Sequence, residues 1–180
     1  TTDWMLQNPQ TIDVGNPFHW NGPIRSPWIE GYADKTYLRA CEDITIYVST
    51  NPSSQFTADV YRIGYYGGTG GRFMGNLGTF QGTSQTMPTE GAGRLMDCNW
   101  TPSHTFSIPS DWLSGFYLIK ITELSQNRDS YIAFTIIDDR EADFSFGIHD
   151  ITYQAYNRWP EQHSLYNQSD SDNYWGAGIR

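Results

Sequence analysis

Tyr61-Arg-Ile-Gly-Tyr-Tyr-Gly-Gly-Thr-Gly-Gly-Arg72 joins two patterns that the rest of the chain repeats, an alternating run and an abrupt turn. From Phe56 to Tyr66, apolar and polar positions alternate (Val60, Arg62, Ile63, Tyr65), as they do along a half-buried β-strand. Four glycines follow within five positions, at Gly67, Gly68, Gly70 and Gly71. Glycine reaches positive φ without steric penalty and admits close backbone approach, so the stretch predicts a hairpin corner. A phosphate-cradling loop needs a helix directly after the glycines and a Lys-Ser/Thr pair or a βαβ context. Arg72-Phe-Met-Gly-Asn-Leu-Gly-Thr-Phe80 has no helical period and no such pair, which argues against a nucleotide site.

Working outward, strand-like runs recur at Ile29–Ala33, Tyr37–Ala40, Ile44–Ser49, Phe56–Tyr66, Phe73–Phe80, His104–Ile108, Phe116–Glu123 and Tyr131–Ile137. Turn residues separate them at Asn51-Pro-Ser-Ser, Gly75-Asn, Gln81-Gly, Pro102-Ser and Gln126-Asn-Arg-Asp. This spacing predicts an all-β fold, an immunoglobulin-like antiparallel β-sandwich over residues 28–138. Ile44–Ser49 and Tyr117–Thr122 alternate most cleanly and are expected to be central strands. Ile108-Pro-Ser-Asp-Trp-Leu-Ser-Gly-Phe-Tyr117 reads as a corner where Trp112 caps the end of the core, with a ligand platform as the alternative role for that indole. Residues 1–27 form an irregular arm whose aromatics (Trp4, Phe18, Trp20, joined by Trp28) are expected to cover apolar surface. The charged hexamer Asp138-Asp-Arg-Glu-Ala-Asp143 marks a boundary. Residues 139–180 are read as a linker and the opening segment of a second, incomplete α/β domain, with Phe144-Ser-Phe-Gly-Ile-His149 as one further strand.

With 180 residues, 16% aromatic and 17% charged, the chain has ample material for a core. Net charge is −9 with no cluster of Lys and Arg, which argues against nucleic acid as a partner. No window approaches 18 apolar residues, so no membrane-spanning helix is expected. Cys41 and Cys98 fit one disulfide in a secreted or extracellular protein, or two buried thiols in a cytoplasmic one. The bridge is the expectation. Asn99-Trp-Thr and Asn167-Gln-Ser match the glycosylation sequon. His19, His104, His149 and His163 lack zinc spacing, and no Gly-x-Ser-x-Gly elbow places a nucleophile. Asn167, Asp170, Asp172 and Asn173 form an oxygen-rich run, either an exposed acidic turn or a calcium site.

Several motifs occur in one order: the glycine stretch 61–72, Asp97-Cys-Asn-Trp100, the corner 108–117, Ser130-Tyr-Ile-Ala-Phe134 with Asp138-Asp139, Thr152-Tyr-Gln-Ala-Tyr-Asn157 and Ser164-Leu-Tyr166. Together they resemble the N,N-dimethylformamidase large (beta) subunit-like family, over about residues 28 to 166. The resemblance implies a β-sandwich followed by a larger α/β domain that holds a mononuclear iron through tyrosine phenolates and a glutamate. Thr152–Asn157 resembles the first active-site segment of that domain, which makes Tyr153 or Tyr156 a candidate iron ligand. Hard phenolate and carboxylate oxygens suit a ferric ion that polarises an amide carbonyl and activates water. The glutamate is expected beyond Arg180, so the chain is read as noncatalytic alone and partnered by the remainder of the hydrolase or a companion subunit.

Two other functions compete. In a carbohydrate-binding or adhesion module, Trp112, Trp100, Tyr65 and Tyr66 would stack on sugar rings. In a self-assembling homo-oligomer, the arm and the tail after Asp139 would pack on neighbouring copies, since an open sheet edge invites strand addition.

Overall fold

The computed structural model describes residues 28–89, 91, 92, 96–157, 159 and 160. The arm 1–27, His163, the second sequon and the oxygen-rich run 167–173 lie outside the described residues. The described chain divides into two compact units. One takes residues 28–85 and Trp100–Asp139, and the other takes the described residues of Thr86–Asn99 and those from Arg140 onward. The described residues of Thr86–Asn99, which fall within the expected sandwich span, therefore group with those from Arg140 onward.

The first unit is an all-β sandwich. Its strands are β1 (Ile29–Ala33), β2 (Tyr37–Leu38), β3 (Asp43–Thr50), β4 (Gln55–Ile63), β5 (Gly71–Gln81), β6 (His104–Ser107), β7 (Gly115–Glu123) and β8 (Arg128–Ile136). They form a three-stranded sheet in the order β1-β3-β6 and a five-stranded sheet in the order β2-β8-β7-β4-β5. The two strands with the cleanest alternation, β3 and β7, occupy the middle of their sheets, where both edges are paired. Ile44, Ile46 and Val48 of β3 face Phe56, Ala58, Val60, Ile119, Ile121, Ile132 and Phe134 of the larger sheet in one apolar cluster. Burial contributes roughly 1.5–3 kcal/mol for each of the larger side chains, and period-two spacing puts them all on one face.

Four local expectations change. β2 pairs with β8 in parallel, through Tyr37↔Thr135 and Leu38↔Ile136, so the sandwich is not wholly antiparallel. β2 stops at Leu38 because the chain turns at Cys41 (φ 68), where Arg39 N–H donates to the Glu42 carboxylate at 2.7 Å. β4 stops at Ile63, since Tyr66 (φ 39) turns left-handed and opens a short 3-10 turn over Tyr66–Gly68. Phe144–His149 is not in a sheet among the described residues, and the second unit instead carries a helix, α1 (Asp150–Tyr156).

The glycine stretch does form the β4–β5 corner. Gly67, Gly68 and Gly70 all have positive φ, and Gly64 N–H donates to Gly70 O at 3.0 Å across the turn. Beyond it, β5 spends 11 residues opposite the 9 of β4. The ladder passes from Ala58↔Gly78 to Asp59↔Asn76 and from Val60↔Gly75 to Tyr61↔Phe73, so Leu77 and Met74 are the bulged residues. Both pack against the core. Each bulge thus bends an edge strand while aiming an apolar side chain inward.

The approach to β7 is a tyrosine corner. Tyr117 is fully buried, its hydroxyl donates to Leu113 O at 2.6 Å, and its ring stacks on Trp112 and on Phe134, each at 5.3 Å. At the other end of β7, Glu123 caps the turn into β8 by accepting from Ser125 and Gln126 N–H at 2.7 and 2.9 Å. Burial favours its protonated form, but these hydrogen bonds outweigh that and hold the carboxyl below its usual range. On the outer face of the larger sheet, Lys120 Nζ lies 3.1 Å from the fully buried Asp129 carboxylate.

Two outcomes follow from these buried groups. Burial raises the Tyr117 phenol to about 12, and it also raises Tyr131 and Tyr61, where Asp129 adds to the effect. A raised folded-state value means that the contribution to stability is complete below the unfolded value near 10 and is lost as pH rises through about 12. Urea midpoints should therefore fall above pH 10. Tyr117→Phe should cost about 1 kcal/mol at neutral pH through the lost hydrogen bond and make the alkaline fall shallower; an unchanged pH profile would contradict this. Lys120→Met should cost about 3 kcal/mol by leaving a buried carboxylate uncompensated. The double variant Lys120→Met/Asp129→Leu should cost less than the single one, and an equal or larger loss would show that the pair's charge is not what matters.

Candidate functional site

The segment singled out by resemblance, Thr152–Asn157, lies on α1 and just past its end. The helix has 7 residues, fewer than an isolated helix needs to persist in water. Asp150 sits in its first turn, where a carboxylate interacts favourably with the helix dipole. Tyr153 N–H donates to His149 O at 3.0 Å, and Asn157 N–H donates to Gln154 O at 3.2 Å to close the last turn. Asn157 Oδ1 then accepts from Trp159 N–H at 3.0 Å. Helical spacing puts positions 150, 153 and 156 along one face of the backbone. Ala155 is buried, whereas Ile151 is exposed and the Tyr153 side chain is 59% exposed.

The chemistry of this donor set fits an iron site only in part. Tyr153 supplies a hard oxygen and Asp150 a carboxylate three positions away, while His149 is exposed at the N-cap. Among the described residues, no group of three His, Cys, Asp or Glu converges to hold a metal ion. A cage therefore does not follow from the described residues alone.

The other singled-out residues are scattered through the sandwich unit and its neighbour. Trp112 packs on the core as a cap and is stacked face to face with Tyr117. Trp100 is buried at 5% exposure and lies 5.4 Å from Tyr32, which stacks on Tyr47 at 4.8 Å. Both indoles thus have structural neighbours. Tyr65 is 83% exposed, whereas the half-buried Tyr66 accepts a hydrogen bond from Arg62 Nη1 at 2.8 Å. Trp112 and Trp100 are both engaged in packing within the sandwich unit. The expected bridge is also not formed. Cys41 is an exposed thiol in the turn after β2, and Cys98 is a half-buried thiol in the other unit.

Several interacting residues were not singled out from sequence. His104 lies 4.4 Å from Phe80 and 6.2 Å from Phe106, and burial lowers its pKa, which favours the neutral ring. The Lys120–Asp129 pair and the Arg62–Tyr66 contact join strand or turn positions that appear ordinary in the linear sequence. The sole hint was a charged residue at an inward-facing step of an alternating strand, as at Arg62. Among the described residues, no helix is long and apolar enough to cross a membrane.

Comparison with known families adds one finding. The model of the family described as N,N-dimethylformamidase beta subunit-like, C-terminal, matches residues 57–178. No curated protein matches the chain. The matched span starts inside β4, includes the glycine corner and the tyrosine corner, and runs through α1. On that match, the chain belongs to the N,N-dimethylformamidase beta subunit-like family.

Proposed function

We propose that this chain is the noncatalytic sandwich portion of a dimethylformamidase-like amide hydrolase, and that it supports an iron-dependent portion provided by the remainder of the enzyme or a companion subunit. The observation that carries this reading is the continuity of the family match from β4 through α1, which joins the sandwich and the Tyr153 segment in one family unit. When bound, the iron would polarise an amide carbonyl and activate water for attack. Tyr153 or Tyr156 is where a phenolate ligand would be sought; the Tyr156 side chain lies outside the described residues.

The role of the sandwich is to hold geometry. Its core is filled by its own apolar side chains, and the polar groups of the tyrosine corner and of the β7–β8 turn are used internally. Tyr117 is tied to Leu113, and Glu123 caps its own turn. The exit of the chain is also fixed. Ile137 N–H donates to Leu38 O at 2.9 Å, and Arg39 forms a bidentate pair with Asp139 at 2.8 and 3.0 Å. A guanidinium–carboxylate fork sets direction as well as distance, so the backbone leaves the sandwich at a defined point.

Metal analysis and an amide-hydrolysis assay with N,N-dimethylformamide on the 180-residue chain test the proposal. The expected result is substoichiometric iron and no turnover by the chain alone, with activity appearing only in the presence of the companion portion. Stoichiometric iron together with turnover by this chain would overturn the noncatalytic assignment.

A further inference from the structure

At the glycine corner, two arginines face each other across the ladder. Arg62 and Arg72 are register partners in the β4–β5 pair. Side chains directly opposed in an antiparallel pair have Cβ atoms about 5 Å apart, a spacing at which like charges repel. The protein carries a net charge of −9, so acids that might separate them are plentiful. Yet neither guanidinium forms an ion pair with a carboxylate among the described residues. Arg62 spends two N–H groups on neutral acceptors, Tyr66 Oη at 2.8 Å and Ser114 O at 2.6 Å. Arg72 is exposed. A guanidinium has five N–H donors and no acceptor, and a phenol that accepts a hydrogen bond still has its own proton to donate. The corner therefore gathers an excess of donors.

The surrounding backbone is shaped to hold them. A Cβ on Gly64 would come within 2.9 Å of the Tyr66 ring, and a Cβ on Gly115, whose φ is +153°, would come within 2.9 Å of Arg62 Nε. Tyr66 itself is left-handed at φ 39, an uncommon and strained state for a bulky residue. Two missing side chains and one strained residue thus allow a phenol and a guanidinium to sit close to the corner. Arg62 and Arg72 both act on the Tyr117 phenol, pulling it down against burial, which places both charges toward the same end of the core; Asp111 acts on it in the opposite sense. Three of the corner's glycine N–H groups are already used within the turn. Gly64 donates to Gly70 O, and Gly68 and Gly70 donate to Tyr65 O. Recognition here falls to side chains rather than to a backbone phosphate nest.

We propose that this corner is a carboxylate-binding site, in which Arg62 and Arg72 grip the anion and Tyr66 supplies a third donor. A planar two-oxygen anion matches the guanidinium fork and relieves the repulsion between the arginines. The negative field of the whole protein opposes anions in proportion to their charge, so a singly charged ligand is opposed less than a multiply charged one such as a nucleotide. The site lies within the sandwich and stands whether or not the amide-hydrolase reading does. The carboxylate comes either from a small free acid or from a Glu or Asp side chain of a partner polypeptide.

The test compares acetate, a blocked peptide carrying a single glutamate and chloride at equal ionic strength, by calorimetric titration and thermal unfolding of the 180-residue chain. Saturable binding of acetate identifies a free carboxylate, and binding of the peptide with weak response to acetate identifies a polypeptide source; either supports the site. Arg72→Ala should weaken binding at least tenfold, and Arg72→Lys should fall between it and the native chain because lysine lacks the fork. Since Arg72 is exposed and opposed by a like charge, Arg72→Ala without anion should unfold at the same temperature as the native chain or slightly higher. Failure of both carboxylate probes, an equal response to chloride, or full binding by Arg72→Ala and Arg72→Lys would each overturn the proposal.

Discussion

A buried phenol must find an acceptor for its hydroxyl, or it loses a hydrogen bond to water without replacement. Tyr117 sits fully buried at the start of β7 and finds its acceptor four residues upstream, at Leu113 O. That single bond fixes the path between β6 and β7, because the chain must double back before the strand begins. The doubling back brings Trp112 against the Tyr117 ring and puts Gly115 at φ +153° beneath the Arg62 side chain. Arg62 then reaches Ser114 O, the residue before that glycine. One end of the sandwich is therefore organised from a hydroxyl outward. The aromatic cap, the glycine and the arginine are successive consequences of where the phenol must donate.

The opposite constraint acts at the sheet edge. Among the described residues β5 has a neighbour on one side only, and a flat edge strand exposes a row of unpaired backbone groups. Its two bulges break that row, and the residues they displace, Met74 and Leu77, are turned to apolar use against the core. Twist and bend come with the bulges, which makes β5 a poor template for an added strand. The other edge is β2, only two residues long, joined to β8 in parallel. A short strand offers little ladder to a second chain. Both edges of the larger sheet are thus blunted by different means.

Much of this was legible in the linear sequence, and the exceptions share a cause. Alternation located all eight strands to within a few residues, and it identified β3 and β7 as the middle strands of their sheets, because burial on one face leaves a period of two. The Trp112 corner was legible because an aromatic cluster between turn residues has little else to do than cap a core. What alternation cannot encode is pairing. The parallel contact of β2, the bulges opposite Ala58 and Val60, and the juxtaposition of Arg62 with Arg72 all depend on register, which links positions distant in the sequence. Phe144–His149 reads as a strand by pattern, yet a strand exists only with a partner, and none is paired to it among the described residues. The helix α1 escaped notice because seven residues span barely two turns, too few for a 3.6-residue period to emerge. Tyr153 came from resemblance rather than from any pattern in its own surroundings. The expected Cys41–Cys98 bridge rested on cysteine count, which carries no distance information.

The family match also bears on what must fold together. It begins at residue 57, one position after Phe56, so it contains most of β4 and all of β5, β7 and β8. These make nearly all of the five-stranded sheet, whose inner face is Ala58, Val60, Tyr117, Ile119, Ile121, Ile132, Phe134 and Ile136. A sheet with one apolar face needs a second layer to cover it. That layer is supplied chiefly by Ile29 of β1 and by Ile44, Ile46 and Val48 of β3, all of which precede the matched span. β1 packs directly on β8 and β7. Of the smaller sheet, the matched span retains only β6, and β6 reaches the sandwich through its pairing with β3. β1 and β3, both upstream of the matched span, are consequently the layer that closes the core the matched residues begin. The smallest folding body within this chain is set by where apolar faces close, and that limit lies upstream of the one drawn by family similarity.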